Sequence, residues 1–95
     1  MINIAAVLRQ AIETYGVDNQ LNVAIEEFAE LIKEICKDKR YGNNEAAIIE
    51  EMADCYIMLQ QLQMIFGISD TIIADAMAKK VKRLKRRLEE EGGAE

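Results

Sequence analysis

The sequence contains no histidine, no proline and no tryptophan, and it has only two cysteines among its 95 residues. The absence of histidine excludes His-ligated zinc sites, Ser-His and Cys-His nucleophiles, and the Glu-x-x-His motif of di-iron bundles. A metal in this protein must therefore be held by oxygen ligands, which favours Mg²⁺ or Mn²⁺. Cys36 and Cys55 fall in apolar helical patterns, so we interpret them as reduced core residues of a cytoplasmic protein and not as a disulfide.

Long uncharged apolar runs are also absent, because charged residues interrupt every apolar stretch. We therefore expect no signal peptide and no membrane partner. The high hydrophobic content of 51%, with few glycines and no proline, is typical of an all-α protein. Ninety-five residues form one small domain, residues 1–95, whose core is marginal in size. A homodimer or homotetramer would enlarge that core.

The helical breaks are predicted from glycine and capping residues. Asn3 is a suitable N-cap, Gly16 and Gly67 are helix terminators, and residues 38–44 are predicted to form a loop. The predicted helices are residues 4–15, 18 or 19 to 37, 44–66, and 69 or 70 to 88. Residues 89–95 are predicted to be a frayed tail.

The third predicted helix places two carboxylates where apolar side chains are expected. At about 100° per residue, Glu51 and Asp54 share a sector with Ala47, Met58 and Leu62. Acidic side chains are rare on such a stripe unless a positive charge accompanies them. Four of the five methionines, Met52, Met58, Met64 and Met77, are interpreted simply as core residues.

A second acidic pair lies on the preceding helix. Glu27 and Glu30 are three residues apart, as are Glu51 and Asp54, so each pair lies on one helical face. In an antiparallel hairpin the two pairs converge, and four like charges near one point are stable together only around a divalent cation. Taken alone, Glu27, Glu30 and Glu34 also fit a solvent-exposed ridge, because the main apolar face of that helix lies elsewhere: Ala24, Ile25, Phe28, Ile32, Ile35 and Cys36.

These acidic residues carry a family resemblance. Residues 25–31 (Ile-Glu-Glu-Phe-Ala-Glu-Leu) and 50–54 (Glu-Glu-Met-Ala-Asp) resemble the Glu-Glu-x-x-Glu … Glu-x-x-Asp motif of the MazG-like, all-α nucleoside triphosphate pyrophosphohydrolases. Residues 16–21 are similar to the family's Gly…Gln lead-in, and residues 80–84 resemble the Lys-x-x-Arg of its last helix. The resemblance covers about residues 15–88.

The resemblance implies Mg²⁺-dependent hydrolysis of a nucleoside triphosphate between its α and β phosphates, which releases a monophosphate and pyrophosphate. Carried over by position, the metal ligands are Glu27, Glu30, Glu51 and Asp54, with Mn²⁺ as an alternative ion. The catalytic carboxylate is expected among Glu26, Glu27 and Glu30.

A second enzymatic alternative is the related phosphoribosyl-ATP pyrophosphohydrolase activity. Those enzymes usually carry a Tyr-His pair after the acidic motif, where this chain has Tyr56-Ile57. The absence of tryptophan and histidine, which some relatives use to hold a base, leaves the preferred base open.

Basic residues are concentrated near the end of the chain. Residues 1–78 carry a net charge of −8, whereas residues 79–95 carry +3. Lys80, Arg83 and Arg87 share one helical face, so we predict that they bind substrate phosphates. A solvated basic face is the other interpretation. A nucleic-acid partner is not expected, because the acidic remainder would repel a phosphate backbone.

The last predicted helix also carries an apolar seam with coiled-coil-like spacing, formed by Ile73, Met77, Val81, Leu84 and Leu88. With the small core, this seam predicts an antiparallel bundle of about four helices that is completed by oligomerisation. The non-enzymatic alternative is a helical interaction module that pairs through the seam and whose acidic residues only face solvent.

Overall fold

The computed structural model describes residues 1–92 and consists of helices joined by short connections. The elements are α1 (Ile4–Tyr15), α2 (Val17–Tyr41), α3 (Glu45–Phe66) and α4 (Asp70–Glu91). The all-α class with four helices is thus confirmed, and the described residues contain no strand. The helix α4 continues through Glu91, into the predicted tail, while residues 93–95 of that tail lie outside the described residues.

Capping side chains set several helix ends as predicted. The Asn3 side-chain oxygen accepts the Ala6 N–H at 3.1 Å and begins α1, and the Ser69 hydroxyl accepts the Ile72 N–H at 3.2 Å and begins α4. Gly67 ends α3 in the left-handed region at φ 65°, which glycine adopts without steric cost. Gln63 holds the α3–α4 corner by donating to the Ile68 carbonyl and to the Asp70 carboxylate.

The second helix is longer than predicted at both ends. It starts at Val17, directly after Gly16, and it runs to Tyr41, so the predicted loop over residues 38–44 is wrong for residues 38–41. No residue in 38–41 breaks a helix, and the helix ends only where Gly42 adopts φ 73°. The Asp38 carboxylate then accepts the Asn44 backbone N–H at 3.1 Å, which closes the short connection to α3.

Helices α2 and α3 form an antiparallel hairpin with a clear register. Near the loop, the Asn44 side chain donates to the Glu34 carbonyl at 2.8 Å. At the far end, the Gln20 amide donates to the Gln61 side-chain oxygen at 2.7 Å, and Gln61 donates to the Leu8 carbonyl of α1 at 3.4 Å. Both glutamines are buried, and the bond between them gives their polar groups hydrogen-bond partners inside the protein. The bond from Gln61 to Leu8 fixes α1 against the hairpin.

The core of the single chain is small. Only Leu8, Ala24, Cys55 and Met58 are buried apolar residues among those described. The prediction that Cys36 is a core residue is wrong, because it is exposed, whereas Cys55 is buried as expected. Met52 and Met77 are likewise exposed. Most of the predicted apolar face of α2 also remains exposed: Ile25, Ile32, Ile35 and Cys36.

The helix α4 stands apart from the other three. Its axis is turned 116° from α3, and none of its residues is buried. The radius of gyration is 17.2 Å, against roughly 12 Å for a compact chain of this length. In the described part of the chain no single helix is long and apolar enough to span a membrane; only the bent pair α3 and α4 together reach that length and composition.

Candidate metal centre

The α2–α3 hairpin brings three carboxylates together near its middle. Glu27 comes from α2, and Glu51 and Asp54 come from adjacent turns of α3. Each side chain offers one oxygen, and these oxygens all lie within 4.8 Å of one another. All three residues are half-buried. We call these three residues the acidic triad.

Neighbouring negative charge and burial raise the pKa values of two members of the acidic triad. A hydrogen bond with Asp54, followed by burial and the charges of Asp54, Glu51 and Glu30, raises the pKa of Glu27 to about 7. Burial, followed by the charges of Asp54, Glu30, Glu34 and Glu50, raises the pKa of Glu51. Both shifts have the direction expected when carboxylates share a site without a cation. The triad is therefore under electrostatic stress in the metal-free chain.

The Glu51 side chain has an unpartnered oxygen. Its Oε2 is inaccessible to solvent and has no hydrogen-bond partner, which holds for no other side-chain oxygen or nitrogen in residues 1–92. A buried polar atom without a partner is costly, and natural proteins keep few of them. Glu51 also belongs to the acidic triad, so a cation bound there would neutralise its carboxylate.

No basic side chain fills that role within the described residues. Their ion pairs all join near neighbours along one helix: Lys33–Glu30 at 3.8 Å, Lys37–Glu34 at 3.5 Å and Lys85–Glu89 at 3.9 Å. None includes a member of the acidic triad. A structural ion pair between the triad and a Lys or Arg, the other explanation for acids on a buried stripe, is therefore not present in residues 1–92.

The remaining predicted acidic residues lie around the triad. Glu30 is half-buried and near enough to raise the pKa of Glu27 and Glu51, but it is not a member of the compact group and it pairs with Lys33. Glu26 is exposed beside Glu27. Glu30 thus lies at the margin of the acidic triad, and Glu26 is exposed next to Glu27 and is not a member of the compact group.

Glu34 is an acidic neighbour that the sequence did not assign to the site. It is buried to 8% exposure, it accepts a hydrogen bond from the Asn44 side chain at 3.3 Å, and its charge contributes to the raised pKa of Glu51. Its helical position, on the same face of α2 as Glu27 and Glu30, could have indicated that it lies near the site. That face is turned toward α3, so the solvent-exposed interpretation does not hold for Glu34.

Cys55 is a buried neighbour of the acidic triad. Its thiol donates to the Glu27 carbonyl at 3.5 Å, and burial, followed by the charges of Glu27, Glu51 and Asp54, raises its pKa. The thiol therefore stays protonated and acts here as a small packing group.

The predicted phosphate-binding residues do not reach the triad in a single chain. Lys80, Arg83 and Arg87 are exposed on α4, which projects away from the hairpin. Their assignment remains a prediction that requires a second chain to bring them near the site.

The donor set fits a hard divalent cation. Carboxylate oxygens are the ligands that hard cations such as Mg²⁺ and Mn²⁺ prefer, and the triad offers three of them without a basic side chain paired to it in residues 1–92. No protein-family model, curated protein or solved structure matches the chain. Function must therefore be inferred from the site itself.

Proposed function

We propose that this protein is a Mg²⁺-dependent nucleotide pyrophosphohydrolase, which hydrolyses a nucleoside triphosphate between its α and β phosphates to a monophosphate and pyrophosphate. The observation that carries the proposal is the convergence of Glu27, Glu51 and Asp54, with the Glu51 Oε2 atom buried and unpartnered. The resemblance of residues 25–31 and 50–54 to the MazG-like motif supplies the reaction class.

The acidic triad would hold the cation, with Glu30 available from the margin. Mg²⁺, or Mn²⁺ in its place, supplies neutralisation of polyphosphate charge and polarisation of a water molecule when bound. The chain holds the three carboxylates on two packed helices, so the side chains would need little rearrangement when the cation binds. Glu27, Glu30 and the exposed Glu26 are the candidate acceptors for the proton of the attacking water.

Phosphate recognition is assigned to Lys80, Arg83 and Arg87. Removing a charge-assisted contact to a phosphate is costly, and these residues form a basic strip on one face of α4. Because α4 projects from its own hairpin, we propose that the active form is a homo-oligomer, a dimer or a tetramer. The two cysteines are free, which agrees with a cytoplasmic location.

A panel of nucleoside triphosphates and phosphoribosyl-ATP, assayed with Mg²⁺ for pyrophosphate and monophosphate, tests the proposal. We expect release of both products from at least one nucleoside triphosphate, and loss of release on chelation. Activity on phosphoribosyl-ATP alone would show that this compound, and not a nucleoside triphosphate, is the substrate. No activity on any compound of the panel, with the acidic triad intact, would contradict the enzymatic function.

The second candidate is a non-catalytic helical interaction module, which the exposed seam of α4 favours. The two functions differ in their response to metal. A module whose acids only face solvent predicts a melting temperature that does not change with Mg²⁺, whereas the metal centre predicts stabilisation.

A further inference from the structure

The apolar seam of α4 has no partner within its own chain. Ile73, Met77, Val81, Leu84 and Leu88 follow one face of the helix, and between 37% and 60% of each residue is exposed. A helix of 22 residues with such a seam normally packs it against another element. The 116° turn after α3 directs α4 away from the hairpin, so the seam cannot be covered by its own chain in this conformation.

The hairpin carries a complementary apolar surface. An open groove of about 270 Å³ runs between α2 and α3, and it is lined by Phe28, Leu31, Met52, Cys55, Tyr56 and Leu59. Exposed Ile25, Ile32 and Ile49 flank it on the same helices. By helical position the groove lies on the other side of the α2–α3 contact from Asp54 and Glu30. Cys55 adjoins both, because it lines the groove and its thiol donates to the Glu27 carbonyl.

The single chain exposes more surface than a compact monomer of its mass, which indicates that a partner covers part of it. The accessible surface is 7773 Å², whereas a compact monomer of 10.8 kDa is expected to expose roughly 5,500 Å². The excess, on the order of 2,200 Å² per chain, is in the range that each subunit of an obligate dimer buries. Such interfaces are also the more apolar ones, as this surface is.

We infer that the groove between α2 and α3 is a docking site for α4 of a second copy of this chain. The exchange is reciprocal, so each chain contributes one seam and one groove, and two apolar faces are covered at once. Charge favours this occupant, because residues 1–78 carry −8, whereas residues 79–95, which include the second half of α4, carry +3. An unrelated partner would have to match both surfaces separately.

This inference does not depend on the proposed enzymatic function. It uses the seam, the groove and the charge distribution, none of which belongs to the acidic triad. Its test measures assembly and not activity, so the docking can hold even if no nucleotide is hydrolysed. A monomeric wild type would remove the proposed oligomeric active form, but it would leave the metal centre untouched.

Cross-linking between two distinguishable chains tests the docking directly. One chain carries Tyr56→Cys at the rim of the groove and a size tag, and the other carries Met77→Cys, Val81→Cys or Leu84→Cys on the seam. Both are made in a Cys36→Ala/Cys55→Ala parent whose helix content and melting temperature are checked first. After mixing, a short bismaleimide should join tagged to untagged chains for at least one seam position.

Lys82→Cys is the matched control, since it lies about 140° around α4 from the centre of the seam. We expect at least a several-fold higher yield of the mixed dimer from the best seam position than from this control. Equal yields at all positions, or cross-links only between two Tyr56→Cys chains, would overturn the inference, because the groove would then not hold α4.

Sedimentation equilibrium of the unmodified protein provides the second measurement. The wild type should be dimeric or larger at micromolar concentration, and Leu84→Asp should raise the dissociation constant at least about tenfold, as expected for losing one buried leucine contact. Lys82→Asp should have a much smaller effect. A wild-type monomer at these concentrations would also overturn the inference.

Discussion

Glu27 of α2 and Asp54 of α3 place their carboxylates close enough to hydrogen-bond, and no Lys or Arg of residues 1–92 forms an ion pair with either of them. Two carboxylates in this relationship share a proton or bind a cation. Because the α2–α3 packing holds them together, the pair makes stability, proton uptake and metal binding interdependent. The first three predictions concern this acidic site.

The Glu51→Gln variant should distinguish between two explanations for this carboxylate, a metal centre and a structural ion pair. The substitution removes one negative charge from the acidic triad and nearly preserves shape, so the metal-free variant should melt at the same temperature as metal-free wild type or higher. Mg²⁺ at one hundred times its dissociation constant should stabilise wild type by about 2.7 kcal/mol, and the variant much less. Hydrolysis by the variant should fall to background.

Melting curves with and without Mg²⁺ check this, with Glu50→Gln as the control at an exposed neighbouring carboxylate. The control should respond to Mg²⁺ as wild type does. A loss of roughly 3–5 kcal/mol in Glu51→Gln, with or without metal, would instead indicate a broken buried ion pair.

The stability of the metal-free protein should fall as pH rises from about 4.5 to about 7. The pKa of Glu27 is raised from 4.5 to about 7 in the folded state, so the folded protein holds a proton that the unfolded chain has released. That difference stabilises the folded state at low pH and is lost as pH passes through the folded pKa. Thermal melts in chelator across this range should show the decline, and Glu27→Gln should flatten it.

Metal binding should have the opposite pH dependence. Protons compete with Mg²⁺ for Glu27, so affinity should increase as pH rises through about 7. Titration calorimetry at pH 6 and pH 8 in buffers of different ionisation enthalpy would measure both the affinity and the protons released. An affinity independent of pH would show that Glu27 does not ligate the metal.

Pyrophosphate, and not orthophosphate, should be the primary product. The motif resemblance implies cleavage between the α and β phosphates, and the basic strip on α4 is suited to holding the distal phosphates. Phosphorus NMR of the reaction mixture, without added pyrophosphatase, distinguishes the two products. Orthophosphate as the sole initial product would contradict the assigned bond.

Lys80→Ala and Arg83→Ala should each lower kcat/KM for the nucleotide by roughly ten- to one-hundredfold, the effect of losing one charge-assisted phosphate contact. Both residues are exposed on α4, so stability should change by no more than about 0.5 kcal/mol. Lys82→Ala, on the opposite face of the helix, is the control. If all three variants have wild-type kinetics, the basic strip is only a solvated face.

Gln61→Met should destabilise the protein by about 1–3 kcal/mol, because it leaves the buried Gln20 amide without its 2.7 Å acceptor. Gln60→Met is the control at the adjacent exposed position and should stay within about 0.5 kcal/mol of wild type. Urea unfolding gives both values. Equal stability of the two variants would show that the glutamine pair does not hold α1 on the hairpin.

The sequence by itself indicated the four helices and the two acidic pairs, three of whose members form the acidic triad. Helix α1 has the predicted bounds, and Asn3, Ser69 and Gly67 act as expected, because capping depends on side chains within a few residues. Glu51 and Asp54 are three residues apart, so once α3 is helical their side chains must lie on the same face. The end of α2 was misjudged, since polar residues 38–41 resemble a loop while nothing in them breaks a helix.

Only the tertiary structure decided which faces meet. Periodicity ranks Ile25, Ile32 and Ile35 as the main face of α2, yet the hairpin buries the ridge that includes Glu34. The short connection after Gly42 and the Asn44 contacts to Glu34 fix the register, which brings Glu27 to Asp54 and leaves Glu30 at the margin. Burial depends on contacts between distant segments, which helical periodicity does not give. The separation of Lys80 and Arg83 from the acidic triad follows from the 116° turn after α3, an angle that the position of Gly67 alone does not specify.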